Sequence, residues 1–287
     1  MTMTHYWLII ILWAMAGAAP PQSQNPSPMV EHTRAHPRLK QSVAPGRREA
    51  LEVGTLFVPE KLDRKKGAPL PLFIHFHGVP WLPETAAATN GRFTVIAIHL
   101  GAGSSVYARP FKDPALLQRL LDEAERKAGR RFSSLTLTAW SAGYGAIREI
   151  LRVPAYFQRV DRVLLIDGLH AGYLDGKPGP QESTLETVDL DIFLSFAREA
   201  VAGRKQMIVT HSEIFPGTFA STTETADWLL AQLGLKRRPV VKWGPMGTQQ
   251  LSEVRQGNFL LRGYAGNSAP DHVDQFHSLP EYLRRLR

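Results

Sequence analysis

The chain has 287 residues, 44% hydrophobic and 21% charged, which allows one large packed domain and excludes a wholly disordered chain. It contains no cysteine, so disulfides, a lipid-modified cysteine and thiolate chemistry are excluded. The net charge is +8, but much of the basic excess sits in Arg34, Arg38, Lys40, Arg47, Arg48 and the run Arg64-Lys65-Lys66. Those residues have no aromatics among them, so solvated tail and loop is expected rather than a nucleic-acid surface.

The first segment reads as an export signal. Trp7 to Ala16 is an apolar stretch too short for a comfortable membrane span, and Ala16-Gly17-Ala18 offers a small-x-small cleavage site. The n-region departs from the pattern, with His5 and no Lys or Arg. Residues 1–18 are therefore expected to be removed, leaving no stable membrane span. Residues 19–48, rich in Pro, Gln and Ser, show no period of 2 or 3.6 and are expected to be a disordered linker.

Ordered structure is expected over residues 49–287, starting with a strand pair at 50–53 and 55–58. Leu70 to Gly78 and Phe93 to Leu100 are nearly continuous apolar runs, suited to strands buried on both faces. Leu116, Leu117, Leu120, Leu121, Ala124 and Ala128 recur at helical spacing. A strand at 135–139, a helix, a strand at 163–167, a helix around Phe193, a strand at 207–210 and a helix around Leu229 follow. A strand at 259–264 and a closing helix from Leu279 complete the order. Strands alternating with helices predict one α/β domain, a mostly parallel sheet covered by helices on both faces.

The strand at 135–139 runs straight into Trp140-Ser141-Ala142-Gly143, and an apolar helix begins within a few residues. A turn that tight needs residues with almost no side chain two before and two after the serine, and Ala139 and Gly143 supply them. The stretch resembles the nucleophile elbow of the α/β-hydrolases, G-x-S-x-G, with Ala139 in place of the first glycine. The resemblance covers roughly residues 49–287, through element order and three loops, and implies an α/β-hydrolase fold with a small lid at most.

It further implies a serine hydrolase with Ser141 as nucleophile, a histidine base and an acid, needing no cofactor and no metal. His77-Gly78-Val79-Pro80-Trp81 resembles the oxyanion strand of the same superfamily, which would make the Val79 and Ala142 N–H groups the oxyanion donors. The base is expected after the last strand. His272, in a Gly/Pro-rich loop, is preferred to His277, which abuts a helix start and would cap or pack there. Two acids stay open. Asp167 ends the strand after the elbow and Glu213 follows the next one, with Asp167 preferred because Asp167-Gly168-Leu169-His170 resembles a turn of some divergent hydrolases.

Trp81, Tyr107, Trp140 and Tyr144 are candidate substrate-contacting aromatics. Ser221-Thr222-Thr223-Glu224 matches a capping box rather than a reactive cluster, Gly101 to Ser105 is expected to line the pocket, and no histidine spacing suits a metal. The expected partner is a small-molecule carboxylic ester, with no nucleic acid. The rival reading is a protein of this fold that binds ligands without catalysis.

Overall fold

The computed structural model describes residues 35–64, 67–176 and 184–286. The export signal and residues 19–34 lie outside the described residues. Ten strands form one sheet: β1 Gly46–Ala50, β2 Thr55–Pro59, β3 Leu70–Phe76, β4 Thr94–Ile98, β5 Phe132–Trp140, β6 Arg162–Ile166, β7 Gln206–His211, β8 Arg238–Trp243, β9 Gln249–Gln256 and β10 Phe259–Tyr264. Their spatial order is β1-β2-β4-β3-β5-β6-β7-β10-β9-β8. From β4 to β10 every pairing is parallel, and the antiparallel strands lie at the two edges. This is the mostly parallel central sheet that the alternation of strands and helices predicts.

The helices are α1 Glu60–Asp63, α2 Trp81–Asn90, α3 Ser104–Phe111, α4 Leu116–Ala128, α5 Tyr144–Arg152, α6 Pro154–Arg159, α7 Asp191–Val201, α8 Thr222–Leu233, α9 Ala269–His277 and α10 Leu279–Arg285. Alternation along β3 shows how the layers form. Leu72, Ile74 and Phe76 pack with Leu117 and Leu120 of α4 and Ile147 of α5, while Phe73 packs with Leu82 of α2 and Leu283 of α10 on the other face. Because successive side chains of a strand point to opposite faces, one apolar run serves both layers. Each such side chain, fully buried, contributes about 1.5–3 kcal/mol. No helix of the described residues is long and apolar enough to cross a membrane.

Two expectations need correction, and one stretch gains elements. The linker does not run to residue 48: β1 starts at Gly46, and residues 36–39 are hydrogen-bonded to α9. The stretch between α8 and the last parallel strand, to which the sequence reading assigned no element, carries the hairpin β8–β9. Lastly, His272 lies inside helix α9 rather than in a loop. The connection after β6 is closed by a bridge between Tyr173 and Leu185.

Candidate active site

Three of the four non-glycine residues with positive φ among those described sit at the carboxyl ends of adjacent strands. They are His77 after β3 (φ 73°), Ser141 after β5 (φ 48°) and Asp167 after β6 (φ 44°). Left-handed backbone costs an L-residue roughly 1–2 kcal/mol, and such strain gathers where the surrounding structure over-determines a site. Ser141 opens a single 3-10 turn, Ser141–Gly143, that leads directly into α5. Two glycines make this possible. A Cβ on Gly143 would lie 2.2 Å from the Phe76 carbonyl oxygen, and one on Gly168 would lie 2.5 Å from the carbonyl oxygen of Ser141 itself. The elbow is thus wedged between β3 and the turn after β6. Ala139 is fully buried in β5, so a methyl group fits where the resemblance would place glycine.

Asp167 is buried, and its carboxylate collects four donors. His272 Nδ1 lies 2.7 Å from Oδ2. Ser212 donates through its N–H at 2.8 Å and its hydroxyl at 2.7 Å, and the Thr222 hydroxyl donates at 2.7 Å. Burial works against the charge, but the hydrogen bonds from His272 and Ser212 outweigh it and hold the carboxyl well below the usual carboxylate range. With Nδ1–H given to a carboxylate, the Nε2 lone pair of His272 is left to accept a proton. Glu213 goes elsewhere. It is exposed, its N–H bonds the Gly266 carbonyl at 2.9 Å, and it lines a separate cavity of about 160 Å³ with His211, Thr223 and Arg237.

Ser141 is tied to this pair through its neighbours. Trp140 donates Nε1–H to the His272 carbonyl at 3.1 Å, and its ring centroid lies 4.7 Å from the imidazole. The other edge of the platform is His77 at 5.0 Å and Phe276 at 4.8 Å, both stacked on Trp140. Gly78 (φ 98°) has no room for a side chain, because a Cβ would meet the Phe276 ring at 2.4 Å. The turn after β3, the turn after β5 and α9 are therefore packed as one unit. The Ala142 N–H lies in the first turn of a helical segment and has no intrahelical acceptor. On the facing loop the Val79 carbonyl accepts the Leu82 N–H, and its side chain is half exposed.

A cleft of about 560 Å³ opens at Ser141, with Ser104, Tyr144, Arg148, His170, Asp189 and Phe219 in its walls. Of the four aromatic candidates, Tyr144 alone lines it. Tyr107 is fully buried, its hydroxyl donating to the Gly101 carbonyl at 3.0 Å, accepting the Leu100 N–H at 3.1 Å, and meeting His77 Nδ1 at 2.9 Å. Trp140 backs His272, and Trp81 stands edge-on to His277. Burial, with His99 nearby, lowers the His77 pKa to about 4, so this imidazole is neutral at physiological pH. His277 ends α9 and accepts the Leu39 N–H at Nδ1, 3.1 Å.

The capping box at Ser221 and Glu224 is present, and its second residue, Thr222, also serves Asp167. Sequence reasoning missed Thr222 and Ser212 as partners of Asp167. The signal was there, since a carboxylate buried at a strand end needs donors and hydroxyl residues follow the next strand. His36, Asp271 and Asp274 bring possible metal-ligand atoms within 4.8 Å of one another. Arg38 Nε already lies 2.8 Å from Asp274, and Asp271 caps α9 through Ser268, so a metal cation would meet a guanidinium there.

No protein-family model matches the sequence, and no curated protein matches it. Solved structures similar to the chain include carboxylesterase CesB (YbfK) from Bacillus subtilis, 11% identical, covering 84% of this chain and 88% of that one at a TM-score of 0.40. Acetyl xylan esterase from Aspergillus awamori is 14% identical, with 79% and 93% covered and a TM-score of 0.44. Acylaminoacyl peptidase from Pyrococcus horikoshii is 12% identical, with 85% of this chain but 42% of that one covered and a TM-score of 0.48.

Proposed function

We propose that the protein is a secreted serine hydrolase that cleaves a carboxylic ester through an acyl-enzyme on Ser141. The reading rests on one observation above all: the buried Asp167 carboxylate holds His272 Nδ1 at 2.7 Å beside an elbow serine at φ 48°. In this mechanism Ser141 Oγ attacks the ester carbonyl carbon as His272 Nε2 takes its proton. The Val79 and Ala142 N–H groups receive the negative charge of the tetrahedral intermediate. His272 then protonates the departing alcohol, and water repeats the sequence to release the acid. Asp167 keeps the imidazole in the right tautomer and stabilises the imidazolium, without itself being protonated. Glu213 has no part in it. Export follows from the signal at residues 1–18, and the partner is a small-molecule ester.

A fluorophosphonate probe tests the chemistry directly. It should label the wild type at Ser141, and Ser141→Ala should abolish labelling while leaving the fold intact. A folded wild type that resists the probe would instead support a ligand-binding protein without catalysis. N-terminal sequencing of the exported protein should begin near Ala19; a cellular form retaining Met1 would remove the export claim.

A further inference from the structure

The helix that carries His272 is fastened along its length by a segment from the other end of the chain. Arg38 donates to the Pro270 carbonyl at 2.8 Å, in the first turn of α9. In the middle of α9, Asp274 is fully buried and meets His36 Nδ1 at 2.6 Å and Arg38 Nε at 2.8 Å. At its end the Leu39 N–H bonds His277. The partners lie 232 to 238 residues apart in sequence. His272 and Asp274, two positions apart on a helix, point to roughly opposite sides. One reaches Asp167 in the sheet and the other reaches the segment 36–39 outside.

We propose that residues 36–39 form a strap whose docking positions His272, so that His36 and Arg38 are positioning residues for the reaction. Its effect on turnover rests on the serine-hydrolase reading; the clamping of α9 does not. A buried carboxylate needs countercharge or water. With the strap undocked, Asp274 loses its contacts with His36 and Arg38, and α9 loses four hydrogen bonds along its length. The helix is then free to shift, and a shift of α9 moves His272 relative to Asp167 and Ser141. The strap lies downstream of the expected cleavage site, so the mature protein keeps it.

The test uses the full-length mature protein with His36→Ala and Arg38→Ala combined, Arg38→Lys, and Arg119→Ala as an exposed ion-pair control. Turnover of p-nitrophenyl acetate and amide hydrogen exchange along the chain are the readouts. The double variant should lose on the order of 10²-fold in kcat, as expected of a displacement near 1 Å, with KM little changed. Exchange should rise in residues 269–277 and stay at the wild-type level in α4. Arg38→Lys keeps a charge for Asp274 and should recover part of kcat, and Arg119→Ala should match the wild type. Wild-type kcat and wild-type α9 exchange in the double variant would overturn the proposal. So would faster exchange throughout the chain with unchanged kcat per folded molecule, the mark of a plain staple. If the double variant does not fold, Arg38→Ala and His36→Gln singly carry the same comparison. A wild type without esterase activity would refute the serine-hydrolase reading, while α9 exchange would still decide whether the strap clamps the helix.

Discussion

Gly168→Ala is the sharpest probe of how the elbow is held. The added methyl would stand 2.5 Å from the Ser141 carbonyl oxygen, 2.6 Å from its nitrogen and 3.0 Å from its Cα. All three are backbone atoms, so no rotamer change relieves the clash. Non-bonded heavy atoms settle near 3.5 Å, so one turn must move by roughly 1 Å. Overpacking of this kind destabilises by about 1–3 kcal/mol, which a domain of this size survives folded. Catalysis is less forgiving, since a misplacement near 1 Å can lower kcat on the order of 10²-fold. Esterase kinetics and the rate of fluorophosphonate labelling should fall together, with KM nearly constant and near-wild-type circular dichroism. A Gly168→Ala protein with wild-type kcat would show that the turn after β6 does not set the position of Ser141, and the wedge argument would fail.

Other outcomes follow from the same contacts. Asp167→Asn should lower kcat on the order of 10⁴-fold, because an amide can no longer fix the His272 tautomer, whereas Glu213→Gln should leave turnover near wild type; the reverse order would move the acid to Glu213. His272→Ala should cost on the order of 10⁴-fold or more in rate, and His277→Ala, which removes the Leu39 anchor and the edge-on contact with Trp81, far less. Stability should fall with acid. Burial lowers the pKa of His75 to about 3 and, with Arg237 nearby, that of His211 to about 4, against about 6.5 in the unfolded chain. The unfolded state therefore binds protons that the native state refuses, so this stability is complete above about pH 6.5 and declines below it. Each group contributes up to about 1.4 kcal/mol per pH unit. Urea midpoints at neutral pH and near pH 5 read the loss directly, His75→Gln should flatten it, and equal midpoints would sink the reasoning.

Much of this was legible in the sequence because the central strands are apolar without interruption and the elbow's small residues sit at fixed offsets. Ser141 could be named for that reason, whereas the preference for His272 over His277 rests on a loop placement that the structure replaces with helix α9. The choice between Asp167 and Glu213 could not be closed, because it depends on which way each loop turns. The Glu213 backbone turns aside to bond Gly266, a partner 53 positions later. The hairpin β8–β9 escaped because it is an edge. Pro239, Lys242 and an exposed Val241 and Trp243 give no period-2 burial, and its order comes from pairing with β10. The strap escaped for a related reason. His36-Pro37-Arg38-Leu39 has no internal pattern, and its structure is borrowed from Asp274 and His277. Tyr107 read as a cleft aromatic because an aromatic beside a Gly-rich loop looks the same whether its ring faces ligand or core.

The positive φ values at Ser141 and Asp167 also bear on how this protein can change. Each position holds a side chain on a backbone that glycine would occupy more comfortably. Under selection for folding alone, both would drift toward smaller or more permissive residues. A library screened only for heat resistance or yield should therefore collect substitutions at these two turns and lose activity in the process. The proposed nucleophile and its acid stand where durability and activity ask for opposite residues, and only selection on turnover keeps a serine and an aspartate there.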